Sequence, residues 1–159
     1  MKNIVQYYIK MENFITNSLM IGVVFFVFIA SVLRWIGHPI AWTVGFAEFI
    51  FVWVIFLGAN KALRLNQHIG VDFFVKKLSR KAQIIIEMLS FFLIILFLVY
   101  LSIKGIGLSI DNSNRKINNL ALSYSFVTMA VPIGSLLMSI TLVNKIYRNI
   151  LKLKLKGER

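Results

Sequence analysis

"NKALRLNQHIGVDFFVKKL", residues 60–78, decides the fold. It carries Lys61, Arg64, His68, Asp72, Lys76 and Lys77 between two strongly apolar runs. It is either a chemically active surface or a polar turn between two membrane helices, and the flanking sequence separates the two. Before it stands "WTVGFAEFIFVWVIFLGA", and a short way after it comes "AQIIIEMLSFFLIILFLVYLSI". Each run is about as long as a helix needs to cross a hydrocarbon core of roughly 30 Å at about 1.5 Å per residue.

The rest of the chain repeats that pattern. Apolar residues make up 58% of its 159 residues and charged residues only 15%. The mean hydropathy is +0.79, too high for a soluble domain, which must cover its core with a charged surface. Four apolar spans are predicted, at about 14–33, 42–63, 82–103 and 120–146. Backbone groups in lipid must be satisfied within each segment, and runs this long are not the alternating strands of a barrel. The expected fold is therefore all-α and integral to the membrane, a single four-helix domain over residues 1–159. The first span follows Lys2 and Lys10, but it is too long for a signal-peptide core and Arg34-Trp35-Ile36 follows it. It is read as a retained helix.

The net charge of +12 would suggest nucleic acid in a soluble protein. Here the cations collect at the ends of apolar runs, so nucleic-acid binding is not expected. Fourteen Lys and Arg fall on the side that holds both termini and the 60–81 segment, and four fall on the other. The positive-inside rule places both termini in the cytoplasm. Lys76, Lys77, Arg80 and Lys81, with Lys152, Lys154 and Lys156 of the tail, are then candidate contacts to anionic phospholipid.

Within the opening stretch, Val71, Phe74, Val75 and Leu78 recur at i, i+3, i+4 and i+7, one apolar face of a short helix. Gly70 ends the preceding helix, and Asp72 suits the new N-terminus. An amphipathic interfacial helix over about 71–79 is predicted. His68 and Asp72 are two ligands at most, and tetrahedral zinc needs three or four. The other histidine, His38, lies a membrane crossing away. Cysteine is absent. No metal site, catalytic pair or cofactor is expected, and the chain is not read as an enzyme.

Glu48 is the acid that the spans place inside the membrane, roughly 9 Å below Trp42. A carboxylate there needs a partner or a function. Arg34, at the outer end of the first span, is the nearest candidate by depth, and Lys104 is the second. Trp35, Trp42, Tyr100 and Tyr124 suit the aromatic belt, while mid-span Trp53 is expected to pack on a neighbouring helix. Pro132 interrupts the fourth span, where Thr128 and Ser135 stand near enough to re-satisfy the backbone. Gly58 with Ala62 and Ser135 with Ser139 form small-xxx-small pairs that let helices approach. The outer loop "GLSIDNSNRKINN", from Gly107, is predicted to be solvated, with Asp111, Arg115 and Lys116 as possible contacts to a periplasmic protein.

Together, Trp42, Glu48, "FVWVIFLGA" and the series Leu63, Arg64, His68, Ile69, Val71, Asp72 resemble the signature of the DctQ-type small membrane subunit of tripartite ATP-independent periplasmic (TRAP) transporters. The match covers about a quarter of the chain, and the length and topology agree over the rest. Asn66 and Gln67 stand where members often carry an acidic residue or a glycine. The resemblance implies a soluble periplasmic protein that captures an organic acid such as a dicarboxylate or sialic acid. It also implies a large membrane subunit, expected as a separate chain, that moves the acid inward with sodium. This polypeptide would then be the small scaffold in the bacterial inner membrane, with Arg34, Glu48, Trp53, Arg64, His68 and Asp72 holding its shape or its partner. The alternative is a stand-alone, proton-coupled four-helix transporter built around Glu48.

Overall fold

The computed structural model describes residues 2–65, 80–117 and 120–157. The predicted interfacial helix over 71–79, with His68, Asp72, Lys76 and Lys77, lies outside them. Five helices appear: α1 (Lys2–Trp35), α2 (Ala41–Arg64), α3 (Arg80–Asp111), α4 (Ser125–Thr128) and α5 (Ala130–Gly157). Four segments are long and apolar enough to cross a bilayer: Gln6–Trp35, Ala41–Arg64, Met88–Asp111 and Ser125–Tyr147. Among the described residues there is no strand, only an isolated bridge between Lys116 and Ser123.

The boundaries moved where polarity had been taken for a helix end. The first span begins well before Phe14 and takes in Glu12, because neighbouring groups satisfy that acid. The third runs on to Asp111, so Lys104, Gly105 and Gly107 are helical and do not open a loop. The fourth starts at Ser125, since residues 120–124 belong to an outer strap.

Two local devices set the turns. After α1, the His38 amide donates to Leu33 O and the Gly37 amide to Arg34 O, with Gly37 at φ +85°. This is a Schellman cap; glycine takes the left-handed position at no steric cost, and Pro39 follows. Between α4 and α5 the helix breaks at Met129, which puts Pro132 in the first turn of α5. There its missing N–H costs little. The proline therefore interrupts the fourth span, as expected, and does so near the start of α5.

The helices pack in an open row, α1–α2–α5–α3. Among the described residues α1 lies against α2 alone, α2 against α5, and α5 against α3, with the short α4 wedged between α2, α3 and α5. The outer half of the α1–α2 seam is aromatic: Phe26 meets Phe46 edge-on at 4.8 Å between ring centres, and Trp42 at 6.1 Å. A small core of Leu63, Leu98 and Leu142 joins α2, α3 and α5, packed about by Phe91, Ile94, Ile95 and Met138.

Close approach depends on two glycines that the small-xxx-small reading missed. A Cβ at Gly134 would stand 2.5 Å from the Phe56 Cβ, and one at Gly105 would stand 2.8 Å from the Pro132 Cδ. A Cβ at Gly58 would meet nothing within 4 Å among the described residues, so the close approach is not made there. Ser135 is fully buried, and its backbone carbonyl accepts the Ser139 hydroxyl.

Candidate functional site

Two polar centres stand at opposite ends of α2. The inner one, named for the end of the bundle nearer both termini as the outer is for the opposite end, begins with Glu12, on the face of α1 that meets α2. Its carboxylate accepts from Asn60 Nδ2 at 2.7 Å and from Arg64 Nη1 at 2.5 Å. Arg64 Nη2 also reaches Asn13 Oδ1 at 3.1 Å. Asn60 passes the network to α5 by accepting from the Thr141 hydroxyl at 2.7 Å. Lys145 then donates to Leu63 O at 2.9 Å, capping one of the carbonyls that the end of α2 leaves open. Lys61 reaches Asn17 Oδ1 at 3.4 Å.

Burial makes this network matter. Glu12 is 4% exposed and Asn60 1%. A buried charge is tolerated when it is paired and its remaining lone pairs are filled, and both Glu12 oxygens have a donor. The Thr16 hydroxyl satisfies itself on the backbone carbonyl of Glu12 at 2.8 Å, leaving the carboxylate to Asn60 and Arg64. Glu12, Asn13, Thr16 and Asn17 fall at i, i+1, i+4 and i+5, with Asn60 and Arg64 at i and i+4 on the facing helix. That matched polar patch is the signal that could have revealed Glu12. It was missed because the acid had been placed outside the span.

The outer centre is built around Glu48, which is exposed on the surface of α2. Its recorded donor is the Tyr124 hydroxyl at 3.3 Å, so neither Arg34 nor Lys104 fills the pairing expected of it. Arg34 is exposed at the end of α1, and Lys104 lies over the Tyr100 ring at 5.9 Å. Arg115 stacks on the other partner, with its guanidinium carbon 4.4 Å from the centre of the Tyr124 ring.

Trp53 does meet a neighbouring element. Its indole N–H donates to Phe126 O at 3.1 Å, beside the α4–α5 break, where carbonyls lose their helical donors. Thr128 bonds back to Ser125 O at 3.1 Å, while Ser125 ties α4 to Ser109 O on α3 at 2.7 Å.

The outer strap is folded and not simply solvated. Ile117 is 2% exposed. Its amide donates to Leu122 O, and the Tyr124 amide donates to Arg115 O at 2.7 Å. The Ser123 hydroxyl donates to Ser113 O at 2.7 Å. At the other end of the molecule, Arg80 and Lys81 open α3, and Lys152, Lys154 and Lys156 lie in the last turns of α5. Their side chains lie outside what the structure describes.

Among the described residues no three His, Asp or Glu gather into a metal-binding group. Fold and site together define a multi-pass α-helical membrane protein whose polar groups tie its helices together. The family of "Tripartite ATP-independent periplasmic transporters, DctQ component" matches residues 23–152, and the chain belongs to that family. It is 24% identical over 123 residues to the sialic acid TRAP transporter small permease protein SiaQ of Vibrio cholerae serotype O1, covering 77% of this chain and 70% of the relative. It is 28% identical over 140 residues to the sialic acid TRAP transporter permease protein SiaT of Haemophilus influenzae, covering 84% of this chain but only 22% of that much longer protein.

Proposed function

We propose that this chain is the small scaffold subunit of a sodium-coupled TRAP transporter that imports an organic acid. Sialic acid is the substrate that the names of both relatives point to. Its partners are a large membrane subunit and a periplasmic binding protein. It sits in the bacterial inner membrane with both termini in the cytoplasm, the arrangement that the Lys and Arg distribution favours. The observation that carries this reading is the reach of the family match, which starts within the first membrane-spanning segment and runs through the other three.

The chemistry of the chain supports a bracing role. A carrier of a charged solute needs groups left free to bind it, commonly at broken helices near mid-membrane. Here Trp53 fills the Phe126 carbonyl at the break between α4 and α5, Ser125 ties α4 to α3, and the buried acid is committed to Asn60 and Arg64. The cationic residues Lys76, Lys77, Arg80, Lys81, Lys152, Lys154 and Lys156 would rest on anionic phospholipid at the inner surface.

Reconstitution tests the whole reading. Vesicles holding this chain, the large subunit and the binding protein are expected to take up sialic acid when a sodium gradient points inward. Vesicles holding this chain alone are expected to take up none. Uptake by the isolated chain would overturn the scaffold role, and uptake indifferent to sodium would overturn the coupling.

A further inference from the structure

Glu48 does not fit a helix that faces only lipid. It stands in an exposed stripe of α2 at i, i+4, i+7 and i+11, where its companions are Val44, Phe51 and Ile55, exposed by 49%, 50% and 48%. Its depth is roughly 9 Å below Trp42, too far for so short a side chain to reach the headgroup layer. Ionisable side chains at such depth almost always face a protein interior or a water-filled cavity. Among the described residues the carboxylate has one donor, a phenol at the long distance of 3.3 Å. The acid at the inner end, by contrast, has both oxygens filled from within the chain.

We propose that the Val44–Glu48–Phe51–Ile55 stripe is the surface on which a transmembrane helix of the large TRAP subunit docks, presenting a lysine, an arginine or another hydrogen-bond donor opposite Glu48. This rests on the proposed function above, which supplies the large subunit. Charge complementarity selects the occupant. A second copy of this chain seated two-fold on the same stripe would set carboxylate against carboxylate, an unfavourable pairing at low dielectric. A purely apolar helix would leave the acid unmatched. The Haemophilus relative adds a reason for the large subunit in particular. The counterpart of this chain occupies 22% of that polypeptide, so a long permease remainder is tethered beside it. The exposed face of α5, with Leu136 and Ile140, is apolar and presents no such demand, so it is left to lipid.

Site-specific photocross-linking in the assembled transporter decides the matter. A benzophenone amino acid is placed in turn at Phe51, Ile55, Leu136, Ile140 and, on α1, Val24. Co-expressed with the large subunit, the chain is expected to cross-link to it from 51 and 55 and not from 136, 140 or 24. Glu48→Lys should weaken co-purification of the large subunit roughly tenfold or more, whereas Glu48→Gln should weaken it less. Thermal unfolding of the isolated small subunit should be the same for both variants as for the unsubstituted chain. If the large subunit co-purifies but cross-links only from α5 or α1, the assignment of this face is wrong while the proposed function stands. Products at 51 and 55 that contain only lipid, or a second copy of this chain, also overturn it. Failure of the unsubstituted chain to bind the large subunit at all would sink the proposed function, and this inference with it.

Discussion

The inner and outer ends of α2 each hold an acid, about 24 Å apart along the helix between Arg64 and Glu48, and they are built in opposite ways. At the inner end the acid comes from another helix, is almost wholly buried, and is held by an amide and a guanidinium. At the outer end the acid is on α2 itself, points outward, and is touched by one phenol. The difference shows what each acid is for. The inner one joins α1 to α2 and, through Asn60 and Thr141, α2 to α5. It replaces the hydrophobic drive that helices lack in lipid, where packing and polar bonds must hold them together. The outer one has a single donor among the described residues, and the docking surface proposed above gives it a partner from outside the chain.

That contrast gives a ranked set of tests, all read by equilibrium or thermal unfolding of the purified subunit in detergent. The largest effect is expected from Glu12→Ala, which leaves Arg64 partly buried and unpaired. A loss of about 3 kcal/mol is expected, since removing one member of a buried pair exposes the full cost of the other. A loss below about 0.5 kcal/mol would reduce the inner network to ornament and erase the contrast. Next comes Gly134→Ala. Its new methyl meets the Phe56 Cβ, an atom fixed to the backbone, so the α2–α5 seam must open at a cost of about 1–3 kcal/mol. Pairing it with Phe56→Ala should recover much of the loss; no recovery would mean that the clash is elsewhere.

Smaller effects sharpen the picture. Trp53→Phe removes the indole donor to Phe126 O and should cost about 1 kcal/mol. Should it cost nothing, the α4–α5 break is satisfied without Trp53. Thr141→Val keeps the shape but deletes the bond to Asn60, and about 0.6 kcal/mol is expected, the usual size of one interhelical hydrogen bond in a membrane. Smallest of all is Glu48→Gln, expected within about 0.5 kcal/mol of the unsubstituted chain because the residue is exposed. A large loss there would place Glu48 in the same structural role as Glu12 and dissolve the distinction.

The open row gives these numbers their setting. In a closed four-helix ring each helix has two neighbours, but among the described residues α1 leans on α2 alone. The described contacts that hold α1 lie in that seam: an aromatic outer half from Phe26, Trp42 and Phe46, and a polar inner half from Glu12, Asn60 and Arg64. Helices in a row also leave broad apolar faces exposed among the described residues.

Some of this was legible in the residues and some was not. The helical spans could be read directly, whereas Arg64 stood out only through the resemblance of its motif and not through any partner the residues revealed. The pairing of Glu48 with Arg34 could not be trusted, because depth alone does not say which way a side chain points. Glu12 escaped notice because charge near a helix end reads as solvent until the facing residues are known. That Pro132 interrupts the fourth span was legible, but only the tertiary structure shows the helix lapsing at Met129 and starting afresh.

The amino-acid sequence by itself determined that the chain crosses the membrane four times. That follows from some twenty consecutive apolar residues meeting a fixed hydrocarbon thickness, a property each segment has alone. Tertiary structure decided which acid is satisfied and which is left over, where glycines let helices touch, and that the helices stand in a row. Those outcomes depend on the rotation and register of one helix against another, and they join residues 48 to 82 positions apart, too far for any local pattern to encode.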